Sequence, residues 1–397
     1  MRIRSSFVVL ALALLAACTR IVPPPAPAVP PSAVPGTLAE SAALAGIARG
    51  PAIASLGLGH SDAATALAGF RESCPKLLIR TDQSGLTQPD DWRPACDAAA
   101  GWSANDAARF FDTHFETARV GEGAAFATGY FEPEILGSRV PQPGYAVPVY
   151  RMPPDLVRGW PTDMAQSERV GRPPLGRLDA AGNSIPYYER AEIEQGALAG
   201  RVLEIAWAAD PIEFFFLQIQ GSGLLRLPDG SRMRIGYAGQ NGREYVGIGS
   251  VMRERGLLGD GPGQYAGSMQ GIVRYLRDHP EAGADLMRLN KSWIFFRELD
   301  TDGPLGALEI PVRREASVAV DPRFVPLGAP VWLDLDRDVA DGLWVAQDTG
   351  GAIKGANRFD TFWGNGADAR EIAGSMSGRG SALVLLPKGT VARLTGR

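Results

Sequence analysis

Gln347-Asp348-Thr349-Gly350-Gly351-Ala352-Ile353-Lys354-Gly355, followed closely by Arg358-Phe359-Asp360-Thr361-Phe362-Trp363-Gly364, sets carboxylates, glycines, a lysine and aromatics in one short, loop-rich segment. Glycines allow tight backbone paths and close approach of a ligand, aromatic faces stack on sugar rings, and carboxylates move protons. A glycine-rich corner of a β-barrel would use the glycines and one aspartate, but would not need Phe359, Phe362 and Trp363 around the second. The segment is therefore expected to carry chemistry as well as a turn.

The flanking sequence gives the fold class. Short apolar or alternating runs broken by glycine and proline, at residues 205–207, 214–219, 233–237, 317–320, 331–335, 343–346 and 382–386, read as strands of compact barrels or sandwiches. Helix and strand do not alternate regularly, which argues against a doubly wound parallel sheet. The expected fold is mainly β with peripheral helices. One helix follows Ser103 and Asp106, an acidic variant of a capping box, with Ala107, Phe110, Phe111, His114 and Phe115 at helical spacing. His114 falls on that apolar stripe and reads as a packed residue. Two more helices are expected, over residues 190–201 and around Met269, Ile272, Val273 and Leu276 up to Pro280.

The N-terminus has the layout of an export signal: Met1-Arg2-Ile3-Arg4, an apolar run over residues 7–17 too short to span a bilayer, then Cys18. Leu15-Ala16-Ala17-Cys18 resembles the lipobox of bacterial lipoproteins, which makes Cys18 the expected lipidation site and residues 1–17 the signal peptide. Thr19 in place of an aspartate points by the same resemblance to the outer membrane, on its periplasmic face. Residues 18–36 are rich in proline and alanine and read as an extended tether. In an oxidising compartment Cys74 and Cys96, the two remaining cysteines, are an expected disulfide.

The 397-residue chain has a formal net charge of −4, which speaks against a nucleic-acid partner. Its composition, 45% hydrophobic and 21% charged, is that of a globular protein with real cores. With only His60, His114 and His279, far apart, no metal site is expected, and no phosphate-binding or serine-nucleophile motif is present. A cofactor-free, carboxylate-based reaction is what remains.

Thr128-Gly129-Tyr130-Phe131-Glu132-Pro133, Phe216-Leu217-Gln218-Ile219-Gln220-Gly221-Ser222-Gly223, Gly236-Tyr237-Ala238-Gly239-Gln240-Asn241-Gly242, Asn290-Lys291-Ser292-Trp293, Val320-Asp321-Pro322-Arg323 and the segment quoted first together resemble the membrane-bound lytic murein transglycosylase A family, in order, from about residue 125 onward. The resemblance implies a double-psi β-barrel, the 3D module, over residues 251–397. A second β-domain is inserted at 141–250, a helical segment at 37–140 leads into the barrel, and a substrate groove lies between the two β-domains.

It also implies a peptidoglycan lytic transglycosylase that cuts the β-1,4 bond between N-acetylmuramic acid and N-acetylglucosamine, leaving a 1,6-anhydromuramic acid end. Its partners would be peptidoglycan glycan strands, a membrane reached through a lipid anchor, and a cell-wall synthesis complex. Asp360 falls on the family's catalytic aspartate, with Asp348, Asp368 and Lys354 in support. Substrate contacts are expected from Thr128, Gly129, Tyr130, Glu132, Gln218, Gln220, Gly221, Ser222, Tyr237, Asn241 and Trp363. Gln218, Gln220 and Ser222 read as alternating along a strand, as do Thr128, Tyr130 and Glu132. Asp348 is expected to pair with Lys354 or Arg358, while the charge of Asp348 or Asp368 keeps Asp360 protonated. Two other readings stay open: a non-catalytic, expansin-like wall-binding module, and a hydrolytic muramidase.

Overall fold

The computed structural model describes residues 40–396, so the expected signal peptide, Cys18 and the tether lie outside the described residues. The described chain first builds β1 (Ile47–Arg49), β2 (Phe115–Val120) and β3 (Ala124–Glu132). It then leaves to form β4 (Glu134–Ser138), β5 (Val147–Tyr150), β6 (Val157–Arg158), β7 (Leu175–Leu178), β8 (Ser184–Pro186), β9 (Glu204–Ala208), β10 (Ser222–Arg226), β11 (Arg232–Gln240) and β12 (Ile294–Leu299). It returns with β13 (Ser317–Val320), β14 (Pro330–Leu335), β15 (Gly342–Asp348), β16 (Arg358–Asn365) and β17 (Ser377–Pro387).

Pairing divides these strands into modules. β17, β14, β15, β13, β16 and β3 follow one another as neighbours, and β17 pairs back onto β3, which closes a six-stranded ring. The β13–β15 and β16–β3 pairs are parallel; the other ring pairs are antiparallel. β2 and β1 extend the ring from β17. The second sheet runs β12-β11-β10-β4-β9-β5, and β6, β7 and β8 form a small third one. Strands of the second sheet thus span residues 134–299, past both ends of the expected 141–250 insert. Pairing across long sequence separations sets these limits, and no local signal marks them.

Apolar burial follows the same division. The largest core joins residues from both faces of the ring, among them Val318, Val331, Leu343, Val345 and Phe359, with the helices His60–Leu77 and Ala107–His114. A second core, with Phe214, Ile235, Trp293 and Phe295, belongs to the second sheet. Cys74 and Cys96 are joined by a disulfide, their Cα atoms 5.5 Å apart, and staple His60–Leu77 to the helix Pro89–Gly101. Removing a loop-closing link of this kind frees the unfolded chain by roughly 2–4 kcal/mol. His114 packs edge-on against Trp102, and Ser103 caps a short 3-10 turn ahead of its helix by accepting from the Asn105 amide.

Two element expectations change. Residues 214–219 lie in a helix, Pro211–Gln220, and not in a strand. Asp210 caps it by accepting from the Ile212 and Glu213 amides, Pro211 occupies the first turn, and Gly221 ends it at φ 81°. An apolar, aromatic run of this length fits either element, and the cap and stop residues decide. The expected helix over 190–201 is shorter, Arg190–Glu194, after which the chain runs through turns containing Gly196 and Gly200, both at positive φ.

Candidate active site

The quoted segment spans the end of β15, a glycine turn and all of β16. Asp348 is the last residue of β15 and Asp360 the third of β16, and both pair with Ala319 of β13, which runs between them. Asp360 also pairs with Thr128 of β3. Residues opposite one another on neighbouring strands share a face, so Asp348, Ala319, Asp360 and Thr128 form one row across four strands. Two strand spacings put the aspartate backbones roughly 10 Å apart. Ala319 contributes only a methyl group, which leaves room between the carboxyls, and Tyr130, Val312, Ile353 and Phe362 complete the apolar floor.

Each carboxyl has a different set of donors. Thr128 Oγ1 donates to Asp360 Oδ1 at 2.5 Å, and Arg358 Nη2 donates to the same hydroxyl at 2.8 Å. Tyr130 donates its phenol to Asp348 Oδ2 at 3.0 Å, while the amides of Thr349 and Ala307 donate to Asp348 Oδ1 at 2.8 and 3.0 Å. Burial is the main cause that pushes Asp360 up to about 6, with Thr128 and Arg358 pulling part of the way back. Burial likewise pushes Asp348 up to about 6, opposed by its three donors and reinforced by the Asp360 charge. Both remain partly exposed, so the apolar floor that desolvates them is open to a ligand.

The expected pairing of Asp348 with a cation does not occur; its partners are neutral donors. Arg358 instead reaches Asp360 through Thr128, and its guanidinium lies 4.8 Å from the Phe126 ring centre. Lys354 is exposed on the turn. Asp368 is exposed too, at the start of the helix Ala367–Ser375, where Arg314 pairs with it at 2.7 Å and holds it below the usual carboxylate range.

Strand alternation sorts the aromatics. Phe362 faces the same side as Asp360, whereas Phe359 and Trp363 point into the ring's core, 0% and 1% exposed. Trp363 donates its indole N–H to Thr361 Oγ1 at 3.0 Å and packs edge-on against Trp344, so it offers no face to a sugar. Gly129 looks the same way: a Cβ there would lie 2.8 Å from Trp363 Nε1 and 2.9 Å from Ala373 Cα. Alternation along β3 does place Thr128 and Tyr130 together in the site, but Glu132 is 1% exposed and bonded to Arg234 at 2.8 Å.

The remaining expected contacts are dispersed. Gln218 and Gln220 do not alternate with Ser222, since the first two are helical and Ser222 opens β10. Gln218 accepts from Arg190 Nη1 at 2.7 Å, and Gln220 accepts from the Phe131 amide at 3.0 Å, tying the helix to β3. Asn241 is fully buried, donating to the carbonyls of Tyr188 and Lys291 and accepting from the Trp293 amide. Tyr237 is half exposed on β11.

The site also contains residues the sequence did not single out. Ala319 lies between the carboxyls, and Tyr245, from the stretch after β11, lies beside Gly351 and close enough for the charges of Asp360 and Arg358 to act on its phenol. Tyr245 follows Asn241 and Gly242 by only a few residues, the one local signal it had.

Two family models match the chain: the MltA specific insert domain over residues 126–297 and the 3D domain over residues 316–386. Membrane-bound lytic murein transglycosylase A of Vibrio cholerae is 30% identical over 309 residues, 74% of this chain and 75% of that protein. MltA from Neisseria gonorrhoeae, in a monoclinic crystal form, is similar with a TM-score of 0.67 and 36% identity, over 85% of this chain and 90% of that one. E. coli MltA with bound chitohexaose has a TM-score of 0.60 and 27% identity, over 86% and 94%.

Proposed function

The chain belongs to the membrane-bound lytic murein transglycosylase A family, and from that membership we propose that it cleaves the β-1,4 bond between N-acetylmuramic acid and N-acetylglucosamine in peptidoglycan, with Asp360 as the one acid and base. The observation that carries the assignment is a partly exposed carboxyl at about 6, set among Thr128, Ala319 and Phe362 in a row it shares with Asp348.

Bond cleavage through an oxocarbenium-like transition state needs a proton for the departing oxygen. Asp360 gives its proton to the N-acetylglucosamine O4 as the C1–O4 bond breaks. The muramic acid 6-hydroxyl then attacks its own C1, and its proton returns to Asp360. The product ends in a 1,6-anhydro ring, no water is consumed, and one carboxyl serves both steps. Asp348 accepts three hydrogen bonds where Asp360 accepts one, which leaves Asp360 the carboxyl with an oxygen free to pass a proton to the substrate, while the two titrate as a coupled pair.

The six-stranded ring with mixed pairing supports its reading as a double-psi β-barrel, the 3D module, and the second sheet corresponds to the insert. The glycan would lie in a groove between them; the E. coli relative is one that has been solved with a glycan, chitohexaose, bound. Membrane attachment through a lipid on Cys18, at the periplasmic face of the outer membrane, and association with a cell-wall synthesis complex complete the proposal. Among the described residues no helix is long and apolar enough to cross a membrane.

Mass spectrometry of digested peptidoglycan tests the reaction. Fragments ending in anhydromuramic acid are expected from the wild type, and none above background from Asp360→Ala. Reducing ends one water heavier would mean a hydrolase, and undiminished digestion by the variant would remove Asp360 from the chemistry.

A further inference from the structure

Of the aromatics nearest Asp360 in sequence, Phe359 and Trp363 are spent on the ring's core and Phe362, 3% exposed, is buried in the floor beneath the carboxyls, yet a sugar at the cleavage point still needs a face to rest on. We propose that Tyr245, carried on the insert, supplies it: its ring braces the N-acetylated sugar at the bond being cut, and its hydroxyl donates to that sugar's acetamido carbonyl. The proposal rests on the transglycosylase reading and adds to it a specificity-determining contact from the insert.

Position is the first support. Tyr245 is half-buried, and its Cβ and Cγ lie 3.8 Å from where a Cβ on Gly351 would sit, so it rests against the glycine turn that leads from Asp348 to β16. Contact between an insert residue and this turn brings the insert to the edge of the carboxyl row. The hydroxyl has no hydrogen-bond partner among the described residues and is not sealed from solvent. Burial pushes its ionisation up, the Asp360 charge adds to that and Arg358 takes part of it back, so the phenol stays a neutral donor wherever the enzyme works.

Rigidity is the second. Buried Asn241, with four hydrogen bonds, holds the start of the 241–247 stretch: it donates to Tyr188 and Lys291 and accepts from Arg243 and Trp293. Asn290, 2% exposed, accepts from the Val246 amide at 3.2 Å, one residue beyond Tyr245, and Ile248 anchors the exit in an apolar cluster with Phe215, Met252 and Leu276. A side chain held at both flanks loses little freedom on binding, which suits a residue that positions substrate. The buried guanidinium of Arg190 locks the same frame, donating to the carbonyls of Asn290 and Ser292 at 2.9 and 2.7 Å.

The test pairs two measurements on the full chain. Affinity for a hexamer of β-1,4-linked N-acetylglucosamine is measured by calorimetry in the uncleaving Asp360→Asn background, with and without Tyr245→Phe or Tyr245→Ala. Peptidoglycan turnover is measured for the Tyr245 variants alone, with thermal melting as the control for folding. Tyr245→Phe should weaken hexamer binding by about three- to tenfold, the size of one neutral hydrogen bond, raise KM by a similar factor and leave melting unchanged. Tyr245→Ala should lose more of both. Hexamer affinity and turnover within twofold of the parent for Tyr245→Phe overturn the proposal, whatever Tyr245→Ala does. If Asp360→Asn still digests peptidoglycan, the acid assignment fails separately, because the binding arm does not depend on it.

Discussion

With Asp360 as the proposed acid, Thr128 is the residue that should set its working range. Its hydroxyl donates to the carboxylate and itself accepts from Arg358, so it carries the arginine's influence to the acid at 2.5 Å. Thr128→Val deletes both links, and Asp360 should hold its proton to higher pH. The alkaline limb of kcat/KM, expected near pH 6 in the wild type, should then move upward, while Thr128→Ser keeps it in place. A limb that stays put in the valine variant would dissociate Thr128 from the acid. At this scale the sequence was informative where a motif named the residue: Asp360, Asp348, Thr128 and Tyr130 meet as a group. Ala319 and Tyr245 escaped notice because a methyl group that only leaves space, and a tyrosine contacting a turn about a hundred residues away, have no local signature.

Among the elements, β3 shows how one strand serves two masters. Thr128 and Tyr130 face the carboxyls, while Gly129 faces the helix Ala367–Ser375 so closely that any Cβ meets Trp363 Nε1, Ala373 and Met376 within 2.9 Å. Gly129→Ala should therefore cost about 1–3 kcal/mol through overpacking, read as a lowered melting temperature with activity per folded molecule reduced as β3 shifts. A variant as stable as wild type would show that the helix yields freely. Strands that are short apolar runs buried on both faces, such as those at 317–320 and 343–346, were readable in advance, because that burial writes itself into the residue pattern. The run at 214–219 was not. Its aromatics suit either element, and the deciding information sat outside it, in Asp210, Pro211 and Gly221.

For the molecule as a whole, the acidic site costs stability. Asp348 and Asp360, and outside the site Asp62 on the helix His60–Leu77, are each raised by burial from 3.8 to about 6. The folded state therefore binds more protons than the unfolded chain between those values. Stability contributed by these groups is full below about pH 4 and is lost as pH rises through 6. Asp360→Asn removes one share of that loss and should gain about 1–3 kcal/mol at pH 7.5, with the advantage gone near pH 4; a parallel pH profile for both proteins would contradict it. The mixed β architecture could be inferred from composition and pattern, but the extent of the second sheet could not, since its limits depend on which strands find each other across the fold. The ring closes only when β16, far along the chain, lies parallel beside β3, with the whole second sheet threaded between them in sequence. Thr128 and Asp360 meet across 232 positions, so the carboxyl row is made only by contacts between distant parts of the chain, in an assembly of high contact order. Cutting power is thereby deferred until folding has finished, and no nascent or half-assembled fragment carries a working blade.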